Sequence, residues 1–389
     1  MKTVPFWAAA TLVTASAQPH DFQVSLEDIV AGTGQLVDGP LSRYEAKGTP
    51  FQPGDILFGK LRPYLAKYWL ADREGTAGGD IHIYRPEPGS NPRYLYYVVG
   101  SRNFVRFAEA ASKGTKMPRA EWSSLREFTV LQADATIQSA IAEYLDREVR
   151  EIDAMMGKLD ELVEQLEARR LSVIQRQTQF MASGERWAMV PTAYLFGSIG
   201  SGTTPKEREH YTEDENGIPW VTTSELRESE IYDTVQRVTP EAVETVSSLK
   251  VHPRGSILIA MYGATIGRLG TLGVDATMNQ ACCAFSDPRE IDMRFFYYSL
   301  WGQRDDIIRQ GVGGGQPNIS QSLLRRWRVP RPPLDEQRHI ADRLDQATTR
   351  IDAMQAKVAK LKELLAERRE ALITDVVTGR KEVACAMRS

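Results

Sequence analysis

The sequence predicts an α+β protein built as an internal repeat. Two mixed α/β domains are each followed by a long helix, and the two helices pair as an antiparallel coiled coil with a pseudo-two-fold relation between the halves. Three observations predict this. First, Gly114–Arg176 aligns without a gap on Gly313–Asp375, displaced by 199 positions, with 22 identities in 63. Second, both copies carry an apolar stripe at alternating steps of three and four. Third, the segments before each stripe hold short apolar runs separated by glycine-rich punctuation.

The elements follow in chain order. Residues 1–133 form the first mixed domain, with strands at Ile56-Leu57-Phe58 and Ile81–Tyr84 and a helix over Asn91–Phe107. At the very start, Lys2, the apolar run Val4–Val13 and Ala15-Ser16-Ala17 have the outline of a secretory leader. A single lysine, with Pro5 and Trp7 inside the run, favours instead the first strand or helix of a domain. Residues 134–182 form the first long helix, with its seam at Ile152, Met155, Leu159, Leu162 and Leu166. Residues 183–333 repeat the mixed style, with buried strands at Ile257–Ala260 and Ala281–Phe285 and a helix over Phe295–Arg309. Residues 334–389 hold the second long helix and a tail, with the matching seam at Ile351, Met354, Val358, Leu361 and Leu365. Arg169 and Arg368 are the only gaps in the two stripes. A helix of ~40 residues is ~60 Å long at ~1.5 Å per residue, longer than a small domain is wide. Each therefore needs a partner, and the economical partner is the other copy. Antiparallel pairing, with the mixed domains at opposite ends, fits the connectivity.

Composition narrows the chemistry. The net charge is −3, so any nucleic-acid surface must be local. The three cysteines, Cys282, Cys283 and Cys385, have no zinc spacing, and two are adjacent. Few cysteines fit a reducing cytoplasm, and no apolar run reaches the ~18 residues that span a bilayer. The five histidines are scattered. Gly54–Lys60 has the outline of a P-loop, but Leu61 stands where Ser or Thr would hold magnesium, and Asp55–Phe58 reads as a strand. No nucleophile elbow, nuclease constellation or methyltransferase motif is present, which argues for a binding role.

Local charge is more informative. Residues 181–249 carry 5 Lys/Arg against 12 Asp/Glu, whereas residues 250–331 carry 11 against 6. In the first domain Lys60, Arg62, Lys67, Lys113, Lys116 and Arg119 gather around Pro/Gly loops beside Tyr64, Tyr68 and Trp69. Tyr262 has a similar setting in the second. Basic residues interleaved with aromatic ones suit phosphate contacts and base-edge contacts.

Several stretches resemble the specificity subunits of type I restriction–modification enzymes. They are Gly315-Gln316-Pro317-Asn318-Ile319-Ser320, Val329–Ile340 at the start of the second helix, and Ala371–Gly379. Gly202-Thr203-Thr204-Pro205, Ile218-Pro219-Trp220 and Gly263–Gly267 resemble second-domain recognition loops of that family, with Lys206 and Arg268 beside them. The first domain departs from the pattern: Leu131–Thr136 replaces the proline-rich helix start, and Met117-Pro118-Arg119 replaces Gln-Pro-Asn.

The resemblance implies two target-recognition domains, each reading part of a bipartite site in double-stranded DNA. It implies two modification (methyltransferase) subunits docked on the helices and restriction (translocase/nuclease) subunits beyond them. S-adenosylmethionine, ATP and Mg would sit in those partners, with no cofactor, metal or catalytic residue in this chain and no membrane contact. On this reading Lys60, Arg62, Tyr64, Lys67, Lys113, Lys116, Arg119, Thr203, Thr204, Lys206, Tyr262, Arg268, Gln316 and Asn318 are the DNA-contact candidates. A coiled-coil DNA-binding scaffold or regulator without a methyltransferase partner is the alternative.

Overall fold

The computed structural model describes residues 2–181, 183–311 and 318–383. The chain divides into two compact units, Met1–Glu161 with Val358–Ser389, and Leu162–Lys357. Four helices matter most: α1 (Pro92–Gly100), α2 (Ala135–Gln179), α3 (Met293–Gly302) and α4 (Leu334–Val377). The long helices α2 and α4 have 45 and 44 residues, and the division into units falls near the middle of each. Each unit thus contains one mixed α/β part and half of both long helices, a grouping that linear boundaries at 133, 182 and 333 do not convey.

The first unit is built on β1 (Ala10–Leu12), β2 (Ile56–Gly59), β3 (Tyr68–Leu70) and β4 (Ile81–Pro86), paired antiparallel in the order β1-β4-β2-β3. All four residues of β2 are buried, as expected of a continuous apolar run in a central strand. Thr3–Pro5 pairs with Thr129–Leu131, and Phe6 is fully buried against Tyr84 and Phe104 with ring centroids 5.1 and 5.3 Å away. The leader-like stretch is therefore part of this core.

The second unit repeats the plan with β5 (Phe196–Ser201), β6 (Glu230–Ile231), β7 (Ile257–Ala260), β8 (Leu269–Leu272) and β9 (Cys282–Pro288), in the order β5-β9-β7-β8-β6. Residues 54–100 match residues 255–301 at a displacement of 201 positions. Gly54 and Gly255, with φ of 91° and 86°, make the same left-handed turn into the central strand. Val24 pairs in parallel with Ala77, as Val221 does with Met278.

Identical brackets tie each mixed part to its long helix. Buried Gln138 accepts from the Asn91 amide at 2.7 Å and donates to the Ala133 carbonyl at 2.8 Å. Buried Gln337 accepts from the Asp292 amide at 2.8 Å and donates to the Pro332 carbonyl at 2.9 Å. Tyr97 donates to Asp146 at 2.6 Å, and Tyr298 to Asp345 at 2.7 Å. Asn91 and Asp292 also cap α1 and α3 by accepting from the amides two and three residues on.

Within each unit the halves of α2 and α4 run antiparallel. In the first, Asp153 meets Arg369 at 3.0 Å and Asp160 meets Lys362. In the second, Glu167 meets Gln355 at 2.6 Å and Asp352 meets Arg170 at 2.5 Å. The two arginine bridges are repeats of one another at the 199-residue displacement.

The seam has a different phase from the expected one. Ile152, Leu166, Ile351, Val358 and Leu365 are buried and Leu159 is half-buried. Met155, Leu162, Met354 and Leu361 are exposed by 51, 40, 52 and 46 % and are corrected to the outer face. Met156, Val163 and Arg170 take the inward positions on α2, and Gln355, Lys362 and Arg369 those on α4. Adjacent apolar pairs such as Met155-Met156 and Leu162-Val163 fit either phase. Side chains at 355 and 362 reach out of the seam to carboxylates at its rim, so they tolerate a position that hydropathy alone denies them.

Leu166→Glu combined with Leu365→Glu is expected to cost several kcal/mol, because each leaves a buried charge unpaired. Leu162→Glu with Leu361→Glu is expected to leave the midpoint nearly unchanged, within about ±0.5 kcal/mol per site. Urea titration followed by helical circular dichroism of both double variants checks this contrast.

Candidate nucleic-acid interface

In each unit, loops meet at the C-terminal end of the central strand. In the first, β2 runs into Lys60, whose amide donates to the Asp80 carbonyl at 2.9 Å. The Ala120 amide donates to the Lys60 carbonyl at 2.9 Å, and the Arg62 amide to the Pro118 carbonyl at 2.8 Å. Lys113 and Arg119 exchange backbone bonds at 2.9 and 3.0 Å. These bonds draw Lys60, Arg62, Lys113, Lys116 and Arg119 to one edge, all exposed except half-buried Lys60. Arg119 pairs with Asp80 at 3.1 Å, and no other ion pair is found for these five among the described residues. The edge is therefore locally cationic although the chain is slightly acidic.

Other candidates in this unit lie elsewhere. Lys67 Nζ donates to the Leu26 carbonyl at 2.8 Å, so it braces two segments. Tyr68 and Trp69 are 1 and 8 % exposed and belong to the cores, which removes them from base contact. Tyr64 is exposed but borders a different cavity, with Arg102, Arg106 and Glu109.

The second unit builds the same edge from different side chains. The Ile319 amide donates to the Met261 carbonyl at 2.8 Å, the counterpart of the Ala120–Lys60 bond, and the Met261 amide donates to Ala281 at 2.8 Å. The hairpin Tyr262–Arg268 turns through left-handed Gly263 and Gly267. Thr203 is fixed by its amide to the Met278 carbonyl at 2.9 Å and by its hydroxyl to Ser248 at 3.1 Å. Thr204 donates to the Gln280 side chain. Lys206, Arg268 and Asn318 are exposed and Tyr262 is half-buried. Gln316 lies outside the described residues.

Sequence reasoning missed Asp80, Asn279 and Gln280. Each lies within three residues of the start of a buried strand, at Ile81 or Cys282, and those two strand starts, which match at a displacement of 201, were the signal that places them at the edges. Amide side chains such as Gln280 and Asn318 match the paired donor and acceptor of adenine in the major groove. Arginine and lysine at the first edge match phosphate oxygens.

Within the two units the buried histidines and cysteines are held neutral. Burial, then nearby Lys60, pushes the His82 imidazole down to about 4, and its Nδ1 lies 3.2 Å from Tyr84 Oη. Burial and Lys250 lower His252 as well. Burial pushes the Cys283 thiol up to about 12 and raises Cys282 further, so neither is a thiolate at neutral pH. Among the described residues no three His, Cys, Asp or Glu side chains are grouped to hold a metal ion.

A buried imidazole with a lowered pKa binds fewer protons than the unfolded chain. Its contribution to stability is complete above about pH 6.5 and is lost as the pH falls toward 4, by up to about 3 kcal/mol. His82→Asn is therefore expected to flatten the fall in unfolding free energy between pH 6.5 and 4, measured by urea titration across that range.

Comparisons with known proteins agree with this geometry. Residues 186–363 match the family model described as type I restriction modification DNA specificity domain. The chain is 25 % identical over 206 residues to the EcoR124I/EcoR124II specificity subunit of Escherichia coli, covering 52 % of this chain and 51 % of that protein. The match thus spans about half of that relative's length. It is 22 % identical over 358 residues to the putative MjaX specificity subunit of Methanocaldococcus jannaschii, covering 85 and 79 %. Among solved structures, a chain from work on assembly and conformational transition of the type I R-M system superposes with a TM-score of 0.78 at 17 % identity, over 98 % of both chains. The HsdS subunit of Thermoanaerobacter tengcongensis gives 0.55 at 16 % identity, over 98 and 97 %.

Proposed function

We propose that this chain is a member of the family of type I restriction–modification specificity subunits and binds double-stranded DNA at a bipartite target, one part for each loop edge. The observation that carries this reading is the repetition of one loop edge on one scaffold with different side chains. Ala120–Lys60 and Ile319–Met261 are the same hydrogen bond, yet the residues around them differ in charge and shape. A scaffold kept constant while its loops diverge suits two modules that read different bases. The cationic edge of the first unit supplies phosphate contacts, and the amides and hydroxyls of the second supply base-edge contacts.

In this reading the chain is not itself an enzyme. It directs adenine methylation and restriction by partner subunits, which hold S-adenosylmethionine, ATP and Mg. The setting is cytoplasmic. No helix among the described residues is long and apolar enough to cross a membrane.

The long helices bear on the modification subunits. Met155 and Leu162 are exposed on α2, and their repeats Met354 and Leu361 are exposed on α4. Large apolar side chains left in water at the same place in both copies fit two identical partner subunits. Tandem Met155→Asp and Leu162→Asp are expected to lower the number of methyltransferase subunits co-purifying per chain from two toward one, read by native mass spectrometry. Full retention of both counts against docking there.

Lys60, Arg62, Lys113 and Lys116, changed singly to alanine, are each expected to weaken duplex binding across sequences. A true phosphate contact lowers the slope of log K against log salt by about 0.9. Exchange of residues 187–330 for those of a relative is expected to change one half-site and keep the other, as mapped by sequencing methylated adenines. A change in both half-sites together is the result that counts against independent reading.

A further inference from the structure

The two units treat one corner differently. In the first, Ala31–Gly34 makes a tight turn with Gly32 and Gly34 left-handed, at φ of 74° and 75°. Three of its carbonyls, those of Gly32, Thr33 and Gly34, are claimed by side-chain donors from elsewhere in the unit. Arg369, 9 % exposed, donates to the Gly32 carbonyl at 3.1 Å and the Thr33 carbonyl at 3.0 Å while its Nε holds Asp153. Tyr96 donates to the Gly34 carbonyl at 3.5 Å.

The second unit keeps the donors and lacks the turn. Arg170 is the repeat of Arg369, and Tyr297 is the repeat of Tyr96. The chain passes from Leu226 through Arg227–Ser229 directly into β6. Where the turn would lie there is a cavity of about 600 Å³, walled by Arg170, Arg227, Glu228, Tyr297, Trp301 and Arg304, among others. Arg170 is 8 % exposed; its Nη2 holds Asp352 and Gln355, but its Nε has no hydrogen-bond partner, the Glu167 carboxylate being 3.6 Å away. Tyr297 Oη and Arg304 Nε are also buried without a partner. Both guanidinium groups lie 5.6 Å from the centroid of the Trp301 ring. Three unpaired donors in one wall are costly, since each buried orphan forfeits its hydration.

We infer that this cavity is a binding site for a backbone turn of a partner protein, which presents consecutive peptide carbonyls to Arg170, Tyr297 and Arg304. The first unit supplies the precedent residue by residue, because there the Nη groups of Arg369, the repeat of Arg170, and the hydroxyl of Tyr96, the repeat of Tyr297, are satisfied by carbonyls of a glycine-containing turn. Charge argues for the same class. The walls carry three arginines, Arg170, Arg227 and Arg304, and three carboxylates, Glu167, Glu228 and Asp352. Such a neutral wall favours neutral acceptors over a phosphate dianion. None of the residues lining the cavity is a DNA-contact candidate, so its failure leaves the DNA reading intact.

Tyrosine-to-phenylalanine variants and a peptide probe test the inference in the full chain. Tyr96→Phe is expected to lower Tm by about 2–4 °C, the shift for one lost hydrogen bond in a domain of this size. Tyr297→Phe is expected to leave Tm unchanged or slightly raised, because its hydroxyl has no partner to lose. The acetylated, amidated heptapeptide with the sequence of residues 30–36 is the probe. With 5-fluorotryptophan incorporated, the ¹⁹F resonance assigned to Trp301 by Trp301→Phe is expected to shift saturably on titration with it. Tyr297→Phe is expected to weaken that binding about fivefold to tenfold. Insertion of Gly-Thr-Gly between Glu228 and Ser229 is expected to raise Tm and abolish the shift by filling the cavity in cis. A Tm loss in Tyr297→Phe equal to that in Tyr96→Phe overturns the inference, since the hydroxyl would then already be satisfied by water. So does an unmoved Trp301 resonance at millimolar peptide combined with a Tm lowered by the insertion.

Discussion

The antiparallel pairing of α2 and α4 is the constraint on which the rest depends. Neither helix can bury its seam alone, and each is far too long to lie on one small domain. The pairing is held by aliphatic side chains such as Ile152, Leu166, Ile351 and Leu365, and by two arginines that cross to the opposite copy. Arg170 and Arg369 bring charge into a largely apolar seam, a position that weakens most coiled coils. Here each meets an aspartate, so the charge is compensated and the register is specified: a slip by one heptad would leave both arginines without Asp352 and Asp153.

From that frame the mixed parts take their positions through side chains repeated in both copies. Gln138 and Gln337 each satisfy an amide at the start of α1 or α3 and a carbonyl before the long helix. Tyr97 and Tyr298 add a second point of attachment to Asp146 and Asp345. Two fixed points per unit set the orientation of a helix against its support. The loops at the end of β2 and β7 are then carried on rigid elements, which lets their sequence vary without loss of geometry. A cationic edge in one unit and an amide- and hydroxyl-bearing edge in the other are two outcomes of that freedom.

Divergence between the copies is not confined to the loop edges. Gly100 in the first unit leaves room for the Tyr68 ring, whereas its repeat, Trp301, lines a cavity and takes Arg170 and Arg304 against its face. The same arginine position thus clamps a backbone turn in one unit and lies against an indole beside a cavity in the other. Repeats preserve donors more readily than acceptors here, because the donors sit on helices and the acceptors on loops.

The repeat itself was legible from the chain. The gap-free match over Gly114–Arg176 and Gly313–Asp375 determined two long helices, their equivalence and the doubled mixed domain, because helix periodicity is a local property written in every seven residues. Buried strands at Ile56–Gly59 and Ile257–Ala260 were legible for the same reason, as were Lys60, Arg62, Lys113, Lys116 and Arg119 as a local basic group. Only the tertiary structure decided which phase of the stripe faces inward. Met155 or Met156, and Leu162 or Val163, satisfy hydropathy equally, and the choice rests on Arg170 and Arg369 finding aspartates across the seam. Only the tertiary structure separated Lys67, spent on a carbonyl, from its basic neighbours, and brought Gln280 beside Thr204. Those outcomes depend on contacts between residues far apart in the chain, and no local pattern encodes which distant group a lysine or a glutamine will meet.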